Sequence, residues 1–334
     1  MPSQNQPFAL RPGTLDDLPE AVEMFNLSSR AMIGRDEFDL ADYRSEWSDP
    51  GIDLAADTRV AQTPDGKIVG CVEVWNTAPY VHCWIWGRVH PEFLGQGIGT
   101  ALMEWAEQRA VVAVERAPAG TRVFMSAGSF SNYRPSLDLL ASRGFTPARY
   151  SLTMERGLDA SPPAPAWPDG ITVRAMRPGE ELAIYRADVE AFRDHRGFIE
   201  QPEDEGFKLW RHRMVDDPAH DRSLWFLAMD GAEIAGIALC QAQRPGEPDL
   251  GWVDTLGVRR PWRKQGVALA LLYHAFGELR ARGRRRVGLG VDAHSLTGAT
   301  RLYERAGMRA VSEFTAFEKN LRAGVDLSTQ AIQE

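Results

Sequence analysis

The sequence predicts an α/β (α+β) chain in which one sheet-and-helix fold is written twice in tandem. Three observations predict it. At 334 residues, 44% of them hydrophobic, the chain is long for one core and suits two domains of about 150 residues each. Four landmarks recur in the same order, each displaced by about 165 residues. They are Phe8-Ala-Leu-Arg11 with Ile171-Thr-Val-Arg174, Ile68-Val-Gly70 with Ile234-Ala-Gly236, the glycine loops at Gly97 and Gly266, and Leu139 to Phe145 with Leu302 to Met308. Lastly, the stretch Asp254 to Leu272 passes from β-compatible residues through a basic glycine loop into an apolar helix, a strand, a loop and a helix in succession.

In the first copy Phe8 to Arg11 reads as a short strand. Thr14 can cap a helix whose apolar positions Leu18, Ala21, Val22 and Phe25 fall at helical spacing, and two further helical pieces reach about Trp47. Thr58 to Ala61 and Ile68 to Trp75 are strands around the turn Pro64-Asp65-Gly66. The strand Val81 to Val89 leads to Pro91, Gly95, Gln96, Gly97, Ile98 and Gly99, and a helix runs from there towards Ala110. Val123 to Met125 is a strand, and Leu137 to Arg143 a helix closed by Gly144. Pro162, Pro163, Pro165 and Pro168 forbid a helix or inner strand in a stiff linker. The plan is therefore a domain over 1–156, a linker over 157–170, a second domain over 171–322 and a loose polar tail over 323–334.

A net charge of −8 argues against a general nucleic-acid binder. Cys71, Cys83 and Cys240 are too scattered for a disulfide framework or a zinc site, and the seven histidines show no ligand spacing, so no metal is expected. The residues from Met1 to Gly13 lack a basic, apolar leader, and no run reaches eighteen apolar residues. The expectation is a cytoplasmic protein with neither membrane nor nucleic-acid partner, monomeric or homodimeric. Arg280, Arg282, Arg284, Arg285 and Arg286 lie about 22 Å down the helix from Gly266 and read as a solvated cap on its C-terminal end.

The loop at Gly266 has a physical meaning of its own. The first amides of a helix have no partner within it, and the helix dipole adds partial positive charge, so a phosphate docks there if side chains do not shield the backbone. Gly266 and Ala268 leave the amides bare, and Arg263 and Lys264 add full charges. The site suits a pyrophosphate.

The arrangement Arg263-Lys264-Gln265-Gly266-Val267-Ala268 resembles the acyl-CoA signature of the GNAT superfamily of acetyltransferases, and the order of elements resembles the GNAT fold in two copies, from about 7 to 155 and 170 to 320. The doubled layout is similar to that of the mycothiol synthases, tandem members of the superfamily. The resemblance implies, in each domain, a mixed, mostly antiparallel sheet with a splayed central strand pair flanked by helices. It also implies acetyl-CoA as acyl donor, a backbone around Leu256, Gly257 and Val258 that pairs with pantetheine, and a phenol in the last helix that protonates the departing thiolate. Tyr303 stands at that place, and a phenol is still protonated at neutral pH. Many members carry an Asn eight residues before this Tyr; here Ser295 takes the position, whereas the first copy keeps Asn132.

The first copy departs further. Leu94 replaces the Arg or Gln of the signature, no Lys or Arg lies between Val89 and Gln108, and Leu140 stands opposite Tyr303. A ligand with about four negative charges would find amides there but no cation. The second copy is thus the catalytic candidate and the first is degenerate.

The implied reaction is direct attack of an amine on a thioester, which needs a base, donors for the oxyanion and an acid for sulfur. Asp254, on the same strand as Leu256, is the candidate base, with Glu190, His195 and His294 weaker. Asp194 beside His195 reads as a pocket rim or plain surface. The resemblance implies an acceptor site under the first two helices of the copy, here about Glu180 to Val215. Glu190, Asp194, Glu200, Glu203, Asp204, Glu205, Asp216 and Asp217 there make a solvated face, or a field that favours a small cationic amine. Two other readings stay open: a non-catalytic module that binds acyl-CoA or a metabolite, and an enzyme acting on carrier-bound or malonyl thioesters.

Overall fold

A computed structural model describes residues 7–217 and 220–331. The chain divides into two compact units: residues up to Arg149 with Phe314–Leu327, and Tyr150–Glu313 with the segment from Ser328.

The first unit contains β1 (Ala9–Arg11), α1 (Leu18–Ile33), α2 (Leu40–Glu46), α3 (Leu54–Asp57), β2 (Thr58–Gln62), β3 (Ile68–Trp75), β4 (His82–Val89), α4 (Ile98–Arg116), β5 (Val123–Phe130) and α5 (Arg134–Ser142). Thr14 and Asp17 form a capping box ahead of α1, and Gly34, in the left-handed conformation at φ 79°, ends it. Leu18, Ala21, Val22 and Phe25 are buried against Tyr43 and Trp47, as helical spacing requires of one apolar face. Arg11 closes the turn between β1 and the helix by pairing with Asp17 at 2.7 Å.

After β6 (Thr146–Gly157), the second unit repeats this plan in β7 (Ile171–Ala175), α6 (Glu181–Phe192), α7 (Glu203–Met214), β8 (Trp225–Asp230), β9 (Glu233–Gln241), β10 (Leu250–Val258), α8 (Val267–Ala281), β11 (Arg286–Asp292), α9 (Ala299–Arg305) and β12 (Arg309–Arg322). The repeated arginine keeps its job: Arg174 pairs with Glu180 at 2.6 Å, as Arg11 does with Asp17.

Each unit has a sheet with one parallel contact. In the first, β1 to β4 are antiparallel neighbours, β4 and β5 are parallel, and β5 is antiparallel to the segment of β12 from Phe314. In the second, β7 to β10 are antiparallel neighbours, β10 and β11 are parallel, and β11 is antiparallel to Ser151–Gly157 of β6. The parallel contacts are short. β4 stays beside β5 only from His82 to Ile85, and β10 beside β11 only from Leu250 to Trp252. Past those points the strands splay, so one backbone edge of Trp86–Val89 and of Val253–Val258 has no strand partner among the described residues.

The final strands differ from a linear division of the chain. Most of β6, which ends the first sequence copy, belongs to the second unit, and most of β12 to the first. The 157–170 segment is also less independent than its prolines suggest. Leu158 is buried in the second unit's core, its N–H donates to the Arg285 carbonyl and its own carbonyl accepts from Arg280, while Trp167 packs on the same core. Nor is the tail loose over its described length. Val325 exchanges backbone hydrogen bonds with Gly120 and Arg122, and Thr329 with Gly197 and Phe198; residues 332–334 lie outside the described residues.

Candidate active site

The two glycine loops have one backbone. In the first unit a tight turn at Pro91–Phe93 is followed by Gly95 at φ 75° and Gly97 at φ 82°; in the second, Arg260–Trp262 is followed by Lys264 at φ 60° and Gly266 at φ 94°. Lys264 therefore holds a left-handed conformation that costs a side chain about 1 kcal/mol. No side chain caps α8, and its first turn, Val267 and Ala268 included, carries no acidic residue. Its amides are bare, and Lys264 and Gln265 beside them are exposed.

The loop's arginines point elsewhere. Arg263 donates to the carbonyls of Val258 and Ala191 at 3.0 Å each and pairs with Asp194, which Arg260 also grips. Arg259 pairs with Glu190 at 2.7 Å and Glu233 at 2.9 Å. Asp194 is thus not a rim or surface residue: only 1% of its side chain is accessible, and the two guanidinium groups, Arg260 foremost, hold its carboxyl down at about 2. This clamp ties the end of α6 to the loop, and Gly257 lets α6 lie close, since a Cβ there would come within 2.9 Å of Ala191.

On β10 the register against β9 slips between Val253 and Thr255, a bulge that leaves Asp254 unpaired. Leu256, Gly257 and Val258 follow on the splayed edge. Asp254 is exposed to water, and the surrounding protein raises its pKa, partly offset by His220 and Arg244. Facing it from α6 is Asp188, pushed up to about 7 by burial and by the charge of Asp254 while accepting a hydrogen bond from Trp210. Among the described residues neither carboxylate has an ion-pair partner within salt-bridge distance. Two buried donors nearby are also unmet, the Trp225 indole N–H and the Nδ1 of His220, whose Nε2 lies 3.0 Å from Gln241. Trp225 meets Trp210 at a tilt of 59° with ring centroids 5.8 Å apart, which ties these groups into one cluster.

Tyr303 on α9 is 7% exposed in an apolar surround, and burial pushes its phenol up to about 12. Its hydroxyl hydrogen-bonds to no described residue. Ser295 acts locally, its Oγ 3.0 Å from Thr297 and accepting from the Ala299 N–H.

The other candidates do not gather here. Glu190 is consumed by Arg259, His195 packs at a tilt against Phe192 with centroids 4.3 Å apart, and His294 meets the edge of Tyr150. Much of the acidic face is neutralised, Glu203 by Arg186 and Glu200 by Arg193. The basic run beyond α8 is no solvated cap: Arg282 binds Asp221, Arg284 the Pro248 carbonyl and Arg286 both Glu155 and Glu247. Asp188 and His220 were not singled out from sequence. The one available signal was helical phase, because Asp188 shares a face with Ile184 and Ala191, the side of α6 turned to the sheet.

In the first unit β4 keeps unbroken register against β3 from Gly70–Val89 to Trp75–Trp84, without the bulge, and Leu140 is buried. A cavity of about 560 Å³ opens between α1, the splayed strands and α4, with Gly95, Gly97, Arg88 and Tyr133 in its lining.

Comparison with known proteins agrees with this geometry. The Acetyltransferase (GNAT) family matches residues 183–308, and an Acetyltransferase (GNAT) domain matches 56–147. Mycothiol acetyltransferase of Salinispora arenicola is 32% identical over 77% of this chain and 79% of its own length, and that of Streptomyces bingchenggensis is 30% identical over 78% and 79%. A GCN5-related N-acetyltransferase from Sphaerobacter thermophilus superposes with a TM-score of 0.79 at 34% identity, covering 98% of this chain and all of that one. A tandem GNAT protein from the clavulanic acid biosynthesis pathway superposes at 0.72 with 14% identity over 95% and 99%, a likeness of fold.

Proposed function

The chain belongs to the GNAT family of acetyltransferases and is an acyl-CoA-dependent N-acetyltransferase; from that premise we propose that its second unit moves the acetyl group of acetyl-CoA to the amine of a small cationic acceptor by direct attack. The observation that carries this reading is Asp254 on the β10 bulge facing Asp188, two carboxylates of raised pKa with no ion-pair partner among the described residues. An ammonium group supplies the charge they lack. The mycothiol acetyltransferases' acceptor is the natural first test of that class.

Each step has a group for it. The bare amides of Gly266, Val267 and Ala268, with Gln265 and the exposed Lys264, face the diphosphate; Arg263 shapes the loop through Asp194. Pantetheine adds along the free edge of Leu256–Val258, as a strand adds to a sheet. Asp188 holds the ammonium, and Asp254, whose raised pKa suits a base, takes its proton directly or through water. The amine nitrogen attacks the thioester carbon, the C–N bond forms, the C–S bond breaks as sulfur takes the Tyr303 proton, and the second proton shed by nitrogen passes through water to the Tyr303 phenolate, while Asp254 gives its proton up to solvent. The first unit, with no bulge and Leu140 opposite Tyr303, serves without catalysis.

Steady-state CoA release with a panel of amines, alcohols and acidic acceptors tests the proposal. Tyr303→Phe is expected to lower kcat by about 10²-fold or more, with little change in KM for the acceptor. Undiminished turnover would remove Tyr303 as the acid, and preference for acidic acceptors would remove the cationic class.

A further inference from the structure

We propose that the cavity of the first unit is a binding site for a small amphipathic carboxylate, separate from the acyl-transfer site. At about 560 Å³ it has the size of a small-molecule pocket. Its walls are mostly apolar, with Met32 from α1, Ile85 and Val89 from β4, Leu102 and Met103 from α4 and Leu139 from α5.

Arg88 is the one charged side chain among its described lining residues. The guanidinium lies over Trp86, 4.8 Å from the ring centroid, and 5.8 Å from that of Phe38. One terminal nitrogen donates to the Gly87 carbonyl at 3.2 Å, and the other reaches Glu37 only at 3.7 Å. The Nε–H is buried without any partner. A guanidinium presents five donors in a planar fork; the Gly87 bond and the Glu37 salt bridge take up only part of the four on the terminal nitrogens, and the side chain keeps 12% exposure through which a carboxylate can reach the rest. The Tyr133 phenol lines the same cavity and can give a second hydrogen bond.

A multiply charged ligand fits poorly. The loop from Val89 to Gln108 has no Lys or Arg, and Arg143, beyond it, is spent on Glu104 and Glu107. One buried cation in an apolar chamber matches one negative charge on an apolar body.

Calorimetric titration of the full-length protein with octanoate, octanamide and octylamine decides the matter, since the three share a chain and differ in head charge. Octanoate alone is expected to bind well, and Arg88→Gln to weaken it about tenfold or more while CoA release in the standard acyl-transfer assay stays unchanged. Octanamide binding as tightly as octanoate in the wild-type protein would overturn the anionic head without recourse to any variant. Octanoate unable to bind, displaced by acetyl-CoA, or held equally by Arg88→Gln and wild type would overturn the site. If Arg88→Gln fails to fold, Met32→Trp, which fills the chamber from α1, is expected to abolish octanoate binding; unchanged binding there also overturns the site.

Discussion

A buried and a partly buried carboxylate show what single residues contribute. Glu73 is fully buried in the first unit, accepting from the Trp47 and Trp75 indoles at 2.7 and 2.9 Å, and burial raises it to about 7, the same value as Asp188 in the second. Both lie above the ordinary carboxylate value near 4, so between about pH 4 and 7 the folded state binds more protons than the unfolded one. Stability without ligand is therefore expected to fall as pH rises through that window, and Glu73→Gln and Asp188→Asn each to flatten the slope in urea melts. A slope untouched by both would mean that neither carboxylate is desolvated as described. Sequence could name Asp254, because it sits on the strand leading into the loop. Asp188 escaped it, since only the packing of α6 on β10 decides that this acid, and not Glu190 two residues on, faces the cleft.

At the level of elements, the difference between the two strands that carry the glycine loops was only partly legible. The spacing of Gly97 and Gly266 located both loops, and the apolar strand patterns located β4 and β10. A bulge, however, depends on pairing, and β10 slips one residue past β9 while β4 does not slip past β3. Composition reads Arg263 as a cation for the phosphate, yet Arg260 and Arg263 both close on Asp194 from α6, a contact made 66 and 69 residues away in sequence. That clamp should matter for loop shape more than for charge. Asp194→Asn is expected to raise the KM for acetyl-CoA several-fold and to lower stability by about 2 to 4 kcal/mol by leaving two guanidinium groups without their anion. Because the Asp194 pKa is depressed to about 2, its stabilisation is present above about pH 4 and lost as pH falls towards 2, where urea melts of wild type and variant should converge. A variant with wild-type KM and stability would show that the clamp is incidental.

For the whole molecule, the doubling was plain in the sequence because four landmarks recur with their physical jobs intact, Arg11 and Arg174 among them. The exchange of final strands was not, because β6 and β12 have the same pattern whichever unit they complete. Residues 1–156 made alone should lack the strand that covers β5, leaving a long unpaired edge. They are expected to show no cooperative thermal transition, and a peptide spanning 309–327, added in trans, to restore one; a well-dispersed NMR spectrum of 1–156 alone would contradict this. The same arrangement bears on biosynthesis. Roughly 180 residues separate Phe130 from its partner Phe314, so at ~5–20 residues per second the nascent first half waits on the order of 10 to 40 s with a naked border. Its last stitch leaves the ribosome only after the second unit's strands have been made, which makes translation speed and chaperone attendance, more than final stability, the determinants of yield.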